Sequence, residues 1–221
     1  MTEILLTQRR LVLQVAQATL RNGLVRGTSG NVSMRDTETG LIAITPSGIS
    51  YDACVEDDIV IVDLKGRIID GERIPSSELP MHLQVYRDHD WVNGVVHTHS
   101  IFATTLSTLA RPIPAVHYLI AGIGAEIPVA PYATYGTEDL ARAASAMLRE
   151  SCRATLLQNH GVLAVGRTLD EAYANAETVE FLAELYLRAL AVGEPVILPY
   201  DEILRVREKF KSYGQMASQQ K

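Results

Sequence analysis

The chain has 221 residues, 47% of them hydrophobic and 21% charged, and a formal net charge of -6. That length and balance fit one well-filled domain spanning 1–221 and exclude a disordered or fibrous chain. Lys and Arg are scattered through an acidic chain, which argues against a nucleic-acid partner, and no run reaches the roughly 18 apolar residues needed to cross a membrane.

Cys54 and Cys152 are the only cysteines. Without a CxxC they exclude a disulfide scaffold or a thiolate metal site and suit a reducing cytoplasm. Gln8, Arg9 and Arg10 break up the first apolar residues, so the N-terminus does not read as a signal peptide. The expected location is cytoplasmic.

In chain order, Leu11, Val15 and Ala18, with Val12 and Ala16, recur at helical spacing and predict a helix over 7–22, with Gly23 as its stop. The period then changes. Segments 31–35 and 41–45 flank the turn-rich DTETG and predict a hairpin; 59–64 and 67–70 around Lys65-Gly66 predict another. Ser76-Ser77-Glu78 opens a helix to about 88, with Pro80 early enough to cost no intrahelical bond. Residues 91–97 read as a buried strand, 100–109 as a helix, and 113–118 and 127–130 as short strands. A helix follows over 137–150. ATLLQ and VLAVG form strands around Asn159-His160-Gly161, and Thr168 with Glu171 caps a long helix to about 191. The last helix covers roughly 201–211. Strands in hairpins with helices between them predict one mixed sheet covered by helices on both faces, not a parallel βαβ repeat.

Three groups of residues carry chemistry. In Val95-Val96-His97-Thr98-His99, residues two apart on an extended segment project to one side, so both imidazoles enter the same space. His160 lies in the turn between two apolar strands. Three imidazoles suit zinc, which in catalytic sites takes three protein ligands and an open position; the plain alternative is unrelated polar residues at strand ends. Ser76 and Ser77 start a helix, where free N–H groups and hydroxyls can hold an anion or simply cap. Glu78 beside them is either a helix-dipole partner or a neighbour of the bound anion. Gly27-Thr28-Ser29-Gly30-Asn31 and Thr45-Pro46-Ser47-Gly48 are donor-rich loops but match neither a Walker loop nor a dinucleotide turn. Together with Ser76 and Ser77 they predict a monophosphate pocket without an arginine clamp.

The other histidines read as supporting residues. His82, four residues after Glu78, shares its helix face and is expected to have a structural role rather than to ligate. His117 is expected to pack in a strand, and His89 to be solvated. Trp91 and the stripe Val179, Leu182, Leu185, Tyr186 and Ala189 are expected in the core or at a subunit contact.

The blocks GTSGNVS (27–33), ITPSGI (44–49), PSSE (75–78), VVHTH (95–99), IPAVHY (113–118), APYATYGT (130–137), ATLLQNHG (154–161) and EKFKSYG (208–214) resemble the class II aldolase/adducin family in this order. The resemblance runs from about residue 5 to 214. It implies a three-layer α/β/α domain with a central mixed, largely antiparallel sheet, and a homotetramer with active sites between subunits. It implies one Zn2+ per chain on His97, His99 and His160, with Glu78 completing the metal site and serving as catalytic base. Asn31, Ser47, Gly48, Ser76 and Ser77 would hold the phosphate, with Thr28 lining that loop. Tyr118 would reach a neighbouring subunit's site as proton donor or acceptor, and Tyr135 and Tyr213 would shape the aldehyde end. The implied reaction cleaves L-fuculose 1-phosphate, or a similar ketose 1-phosphate, to dihydroxyacetone phosphate and an aldehyde such as L-lactaldehyde through an enediolate. Asn159 stands where close relatives often carry His, and Tyr135 where Phe is common, which bears on the aldehyde.

Three alternatives remain at this point. An L-ribulose-5-phosphate 4-epimerase typically carries Asp where this chain has Glu78. A deoxyribulose- or methylthioribulose-phosphate aldolase or dehydratase shares the glutamate. A non-catalytic adducin-like module would have eroded metal ligands and a basic tail, which this chain lacks.

Overall fold

In the computed structural model, residues 5–212 are described. Tyr213 lies outside the described residues. Helix α1 (Leu6–Arg21) buries Val12, Val15 and Ala16. Two antiparallel hairpins follow, β1 (Asn31–Arg35) with β2 (Ile42–Ile44) and β3 (Val60–Val62) with β4 (Ile68–Asp70). The chain continues through α2 (Leu79–Asp88), β5 (Gly94–Thr98), α3 (Ile101–Thr108), β6 (Val129–Ala130) and α4 (Glu138–Ser145). It ends with β7 (Ala154–Leu157), β8 (Gly161–Gly166), α5 (Leu169–Leu190) and α6 (Tyr200–Phe210). Among the described residues, eight strands form one sheet in the order β4-β3-β2-β1-β5-β8-β7-β6, antiparallel except for β6 with β7.

Alternation along the central strands sends apolar side chains to both faces. Val96, Val162 and Ala164 pack with Ala16 of α1, Leu106 of α3 and Val179 and Leu182 of α5. Val95, Leu163 and Val165 pack on the opposite face with Met81 and Val85 of α2 and Leu140 and Ala144 of α4. The result is the expected helix–sheet–helix arrangement. Full burial of a side chain such as Met81 or Val85 contributes about 1.5–3 kcal/mol, so α2 is held firmly against the sheet. Of the long-helix stripe, Val179, Leu182 and Tyr186 are core residues. Cys54 and Cys152 are free thiols.

Several predicted elements differ from the structure. Helix α2 starts at Leu79, because the Ser76 N–H donates to the Thr45 carbonyl (3.0 Å) and Pro75 bridges Pro46, which keeps that segment extended. Pro80 still sits in the first turn. The predicted strand over 113–118 is only an isolated bridge between Ile113 and Ile127, since Pro112 and Pro114 flank it and have no N–H for a ladder. His117 is therefore not in a strand: it precedes a 3₁₀ turn (Tyr118–Gly122) and accepts from the Leu119 N–H, 3.3 Å. Helix α4 is shorter than predicted because its end tightens into bonds from Met147 to Ala144 and from Leu148 to Ser145. His89 is half-buried rather than solvated, 3.1 Å from the Ser145 carbonyl and edge-on to Trp91.

Candidate metal centre and active site

Residues on the α2 side of the sheet build the site. His97 lies two residues after Val95 on β5 and projects to the same side, towards α2; His99 follows just past the strand end. On one side β1 places Asn31 opposite His97, and on the other β8 places Leu163 there. The β7–β8 turn then brings His160 over the same point. Two residues make that turn possible. Asn159 has φ 54°, a left-handed conformation that asparagine tolerates better than most side chains. A Cβ on Gly161 would stand 2.3 Å from the Thr98 carbonyl oxygen and 3.1 Å from the His99 ring, so only glycine lets the turn close onto the histidine strand.

One ligand atom from each of Glu78, His97, His99 and His160 lies within 4.8 Å of the others. His97 Nε2 is 2.9 Å from His99 Nε2 and 3.0 Å from Glu78 Oε2; His160 Nε2 is 3.4 Å from Glu78 Oε1. His97 Nδ1–H donates to the Val162 carbonyl (2.7 Å), which leaves its Nε2 lone pair facing the cluster. Glu78 Oε2 accepts from the Asn31 amide (2.9 Å), while buried Oε1 has no hydrogen-bond partner among the described residues. Converging lone pairs beside an orphaned carboxylate oxygen repel one another unless a cation joins them. Three imidazoles and one carboxylate are a donor set that fits a divalent transition metal.

The titration behaviour has the same origin. Burial alone would raise the Glu78 carboxyl, but the His97 and His160 imidazoles and the Asn31 amide outweigh it and hold Glu78 well below the usual carboxylate range. Burial lowers His97, yet the Glu78 carboxylate more than offsets this and raises it. Burial, and then His97, push His99 down to about 3 and His160 down to about 4. Both are thus neutral, as metal ligation requires.

Beside the cluster is a cavity of about 300 Å³ lined by Thr28, Asn31, Ser47, Gly48, Ser76, Ser77, Glu78, His99, Tyr135 and His160. Tyr132 and Asn159 also line it. No Lys or Arg is among the described lining residues, so an anion there meets hydroxyls and backbone N–H groups, as the loop composition predicts. The structure therefore brings together the predicted metal-site residues and the predicted phosphate residues. It does not bring Tyr118 into this cavity: the side chain is half exposed, against His117 and near Phe210. Tyr132 was not singled out in the sequence, although it lies in the same APYATYGT block as Tyr135. His82 does not ligate. Its Nε2 lies 2.6 Å from Asn31 Oδ1 and its Nδ1 2.6 Å from Ser33 Oγ.

Comparison with known proteins agrees with this geometry. Residues 10–187 match the family model described as class II aldolase and adducin N-terminal domain. The 5-deoxy-D-ribulose 1-phosphate aldolase of Bacillus thuringiensis serovar kurstaki is 43% identical over 212 residues, covering 96% of this chain and 99% of that protein. The L-fuculose phosphate aldolase of Escherichia coli is 44% identical over 207 residues, covering 93% and 94%. The solved structure of an L-fuculose 1-phosphate aldolase superposes with a TM-score of 0.90 at 43% identity, covering 93% of this chain and 96% of that one. No helix among the described residues is long and apolar enough to cross a membrane. Sequence relatives, architecture and the clustered glutamate and histidines lead to one assignment: the chain belongs to the class II aldolase and adducin family and is a metal-dependent class II aldolase.

Proposed function

We propose that this aldolase cleaves a ketose 1-phosphate, either L-fuculose 1-phosphate or 5-deoxyribulose 1-phosphate, to dihydroxyacetone phosphate and a short aldehyde. The observation that carries this reading is the buried Glu78–His97–His99–His160 cluster beside a hydroxyl-lined cavity without cationic side chains. Relatives of nearly equal identity are named for each substrate, and both substrates end in a methyl group. Tyr132 and Tyr135 on the cavity wall suit that end.

Zinc, one per chain, matches the three-imidazole, one-carboxylate set and would supply Lewis-acid polarisation of the substrate's carbonyl and hydroxyl oxygens. The protein's residues do the rest. Thr28, Ser47, Gly48, Ser76 and Ser77 hold the phosphate and fix the ketose in register. Asn31 uses one amide N–H on Glu78 and keeps the second for the ligand. Glu78 returns a proton to C3 of the three-carbon product in cleavage and removes it in synthesis. In synthesis the Tyr118 phenol from a neighbouring chain of a cytoplasmic homotetramer protonates the aldehyde oxygen; cleavage runs the same transfers backwards, the Tyr118 phenolate taking the C4 hydroxyl proton while protonated Glu78 supplies C3. The exposure of Tyr118 outside its own chain's cavity supports that use.

The reading is tested by supplying zinc-loaded protein with each ketose 1-phosphate and following dihydroxyacetone phosphate. Release from at least one, abolished by chelation, is expected. No release, together with interconversion of pentulose 5-phosphates, would favour an epimerase instead. The shared site has its own test. Mixing inactive Tyr118→Phe chains with inactive His160→Ala chains, after dissociation and reassembly, should restore part of the activity, because some sites then combine both intact parts. Mixtures that stay inactive although the chains co-assemble would show that Tyr118 does not serve a neighbouring chain's site.

A further inference from the structure

We propose that His82 is a positioning residue for Glu78, acting through the Asn31 amide in a buried ladder of hydrogen bonds that ends at Tyr86. The proposal rests on Glu78 as the group that moves the proton. Its basis is a match of two periods. Glu78, His82 and Tyr86 are spaced by four along the start and body of α2 and so advance about 6 Å per step, while Asn31 and Ser33 are two apart on β1 and advance about 6.6 Å. With α2 packed on β1, the two rows interlock: Glu78, Asn31, His82, Ser33, Tyr86.

Each contact is short. The Asn31 amide donates to Glu78 Oε2 at 2.9 Å, His82 Nε2 is 2.6 Å from Asn31 Oδ1, Ser33 Oγ is 2.6 Å from His82 Nδ1, and Tyr86 OH is 2.8 Å from Ser33 Oγ. All five side chains are buried. Only one direction satisfies them with a neutral ring. Asn31 presents its nitrogen to the carboxylate, so its oxygen faces His82 and can only accept. His82 Nε2 therefore carries the proton, and Nδ1 accepts from the Ser33 hydroxyl, which accepts from Tyr86. The Glu78 carboxylate sets the Asn31 orientation, and the Nε2–H of His82 on the far side holds it against a flip that would turn an oxygen onto Glu78 Oε2. Glu78 Oε1 has no hydrogen-bond partner among the described residues, so the donor on Oε2 orients the carboxylate from its buried side. Neither His82, Ser33 nor Tyr86 lines the cavity, and their influence on the reaction passes through Asn31.

The test begins with the intact wild-type protein. At neutral pH its imidazole ¹⁵N spectrum should show one ring, assigned by its loss in His82→Gln, with Nε2 protonated and Nδ1 bare. A protonated Nδ1 on that ring would overturn the ladder. Kinetically, metal-replete His82→Leu should lose about 10- to 100-fold in kcat, the usual scale for partners of metal-site residues, with KM unchanged. His82→Gln places an N–H near the Nε2 position and should recover most of the loss. In an Asn31→Ala background His82→Leu should add little, because the interaction it supports is already gone. Wild-type kcat in folded His82→Leu, no rescue by Gln, or an undiminished loss in the Asn31→Ala background would each overturn the proposal. Should His82→Leu fail to fold, Ser33→Ala removes the hydroxyl on Nδ1 and carries the same comparison, with a smaller loss that must vanish in the Asn31→Ala background. Metal-replete Glu78→Gln at wild-type kcat would place the failure in the role of Glu78; a wrong tautomer with inactive Glu78→Gln would place it in the ladder.

Discussion

His97→Ala should lose most of its bound metal and all measurable turnover. His97 is fully buried and holds its ring by a bond to the Val162 carbonyl, so its Nε2 reaches the cluster without freedom to turn away. Removing it takes away a ligand that lies 3.0 Å from Glu78 and 2.9 Å from His99. It also leaves the Glu78 carboxylate buried with fewer partners, and stranding one member of a buried charged pair typically costs about 3–5 kcal/mol. The metal-free variant should therefore unfold at lower temperature as well. Elemental analysis and thermal unfolding separate the two effects. A folded His97→Ala protein with full metal occupancy would remove this histidine from the site.

Glu78→Gln should retain phosphate binding and lose cleavage by about 100- to 10,000-fold, the range for a positioned acid–base group. The substitution keeps the shape of a side chain wedged between Asn31, His97 and His160, while removing its charge and basicity. Of the proposed phosphate-holding residues, Thr28, Ser47 and Gly48 lie on other segments, and Ser76 and Ser77, which directly precede Glu78, would hold the anion through hydroxyls and backbone N–H groups that the substitution leaves in place. Because the carboxylate also faces the metal cluster, metal content must be measured in the same sample before the loss is assigned to proton transfer. Inhibition by inorganic phosphate at the wild-type concentration, with turnover lost, is the expected pair of results. Wild-type turnover in metal-replete Glu78→Gln would exclude Glu78 as the proton carrier.

What could be read from the chain follows the range of the interactions. The pairing of His97 with His99 is local, since a strand's two-residue period puts both rings on one side. The convergence of His160 is not, because it depends on β8 lying beside β5 and on Gly161 admitting the Thr98 carbonyl. Ser76 reads as a cap from its neighbours, but its N–H is claimed by Thr45 from another strand, and the helix starts three residues later. The apolar run around Ile113 looks like a strand until the prolines on either side are counted as missing donors. Asn159 adopts the left-handed conformation that its turn requires, which no neighbour in the sequence announces. The ladder from Glu78 to Tyr86 could not be read from either segment alone. His82 was visible as a face-sharing neighbour of Glu78, but Ser33 and Tyr86 acquire meaning only once α2 lies on β1.

The central claim is that Glu78, beside the metal cluster, moves a proton at the carbon that becomes the nucleophile. Dihydroxyacetone phosphate in deuterated water, with no aldehyde present, isolates that step. Metal-loaded wild type should exchange one hydroxymethyl proton for deuterium, chelated protein should not, and metal-replete Glu78→Gln should lose exchange together with cleavage. Exchange persisting at the wild-type rate in metal-replete Glu78→Gln would contradict the account.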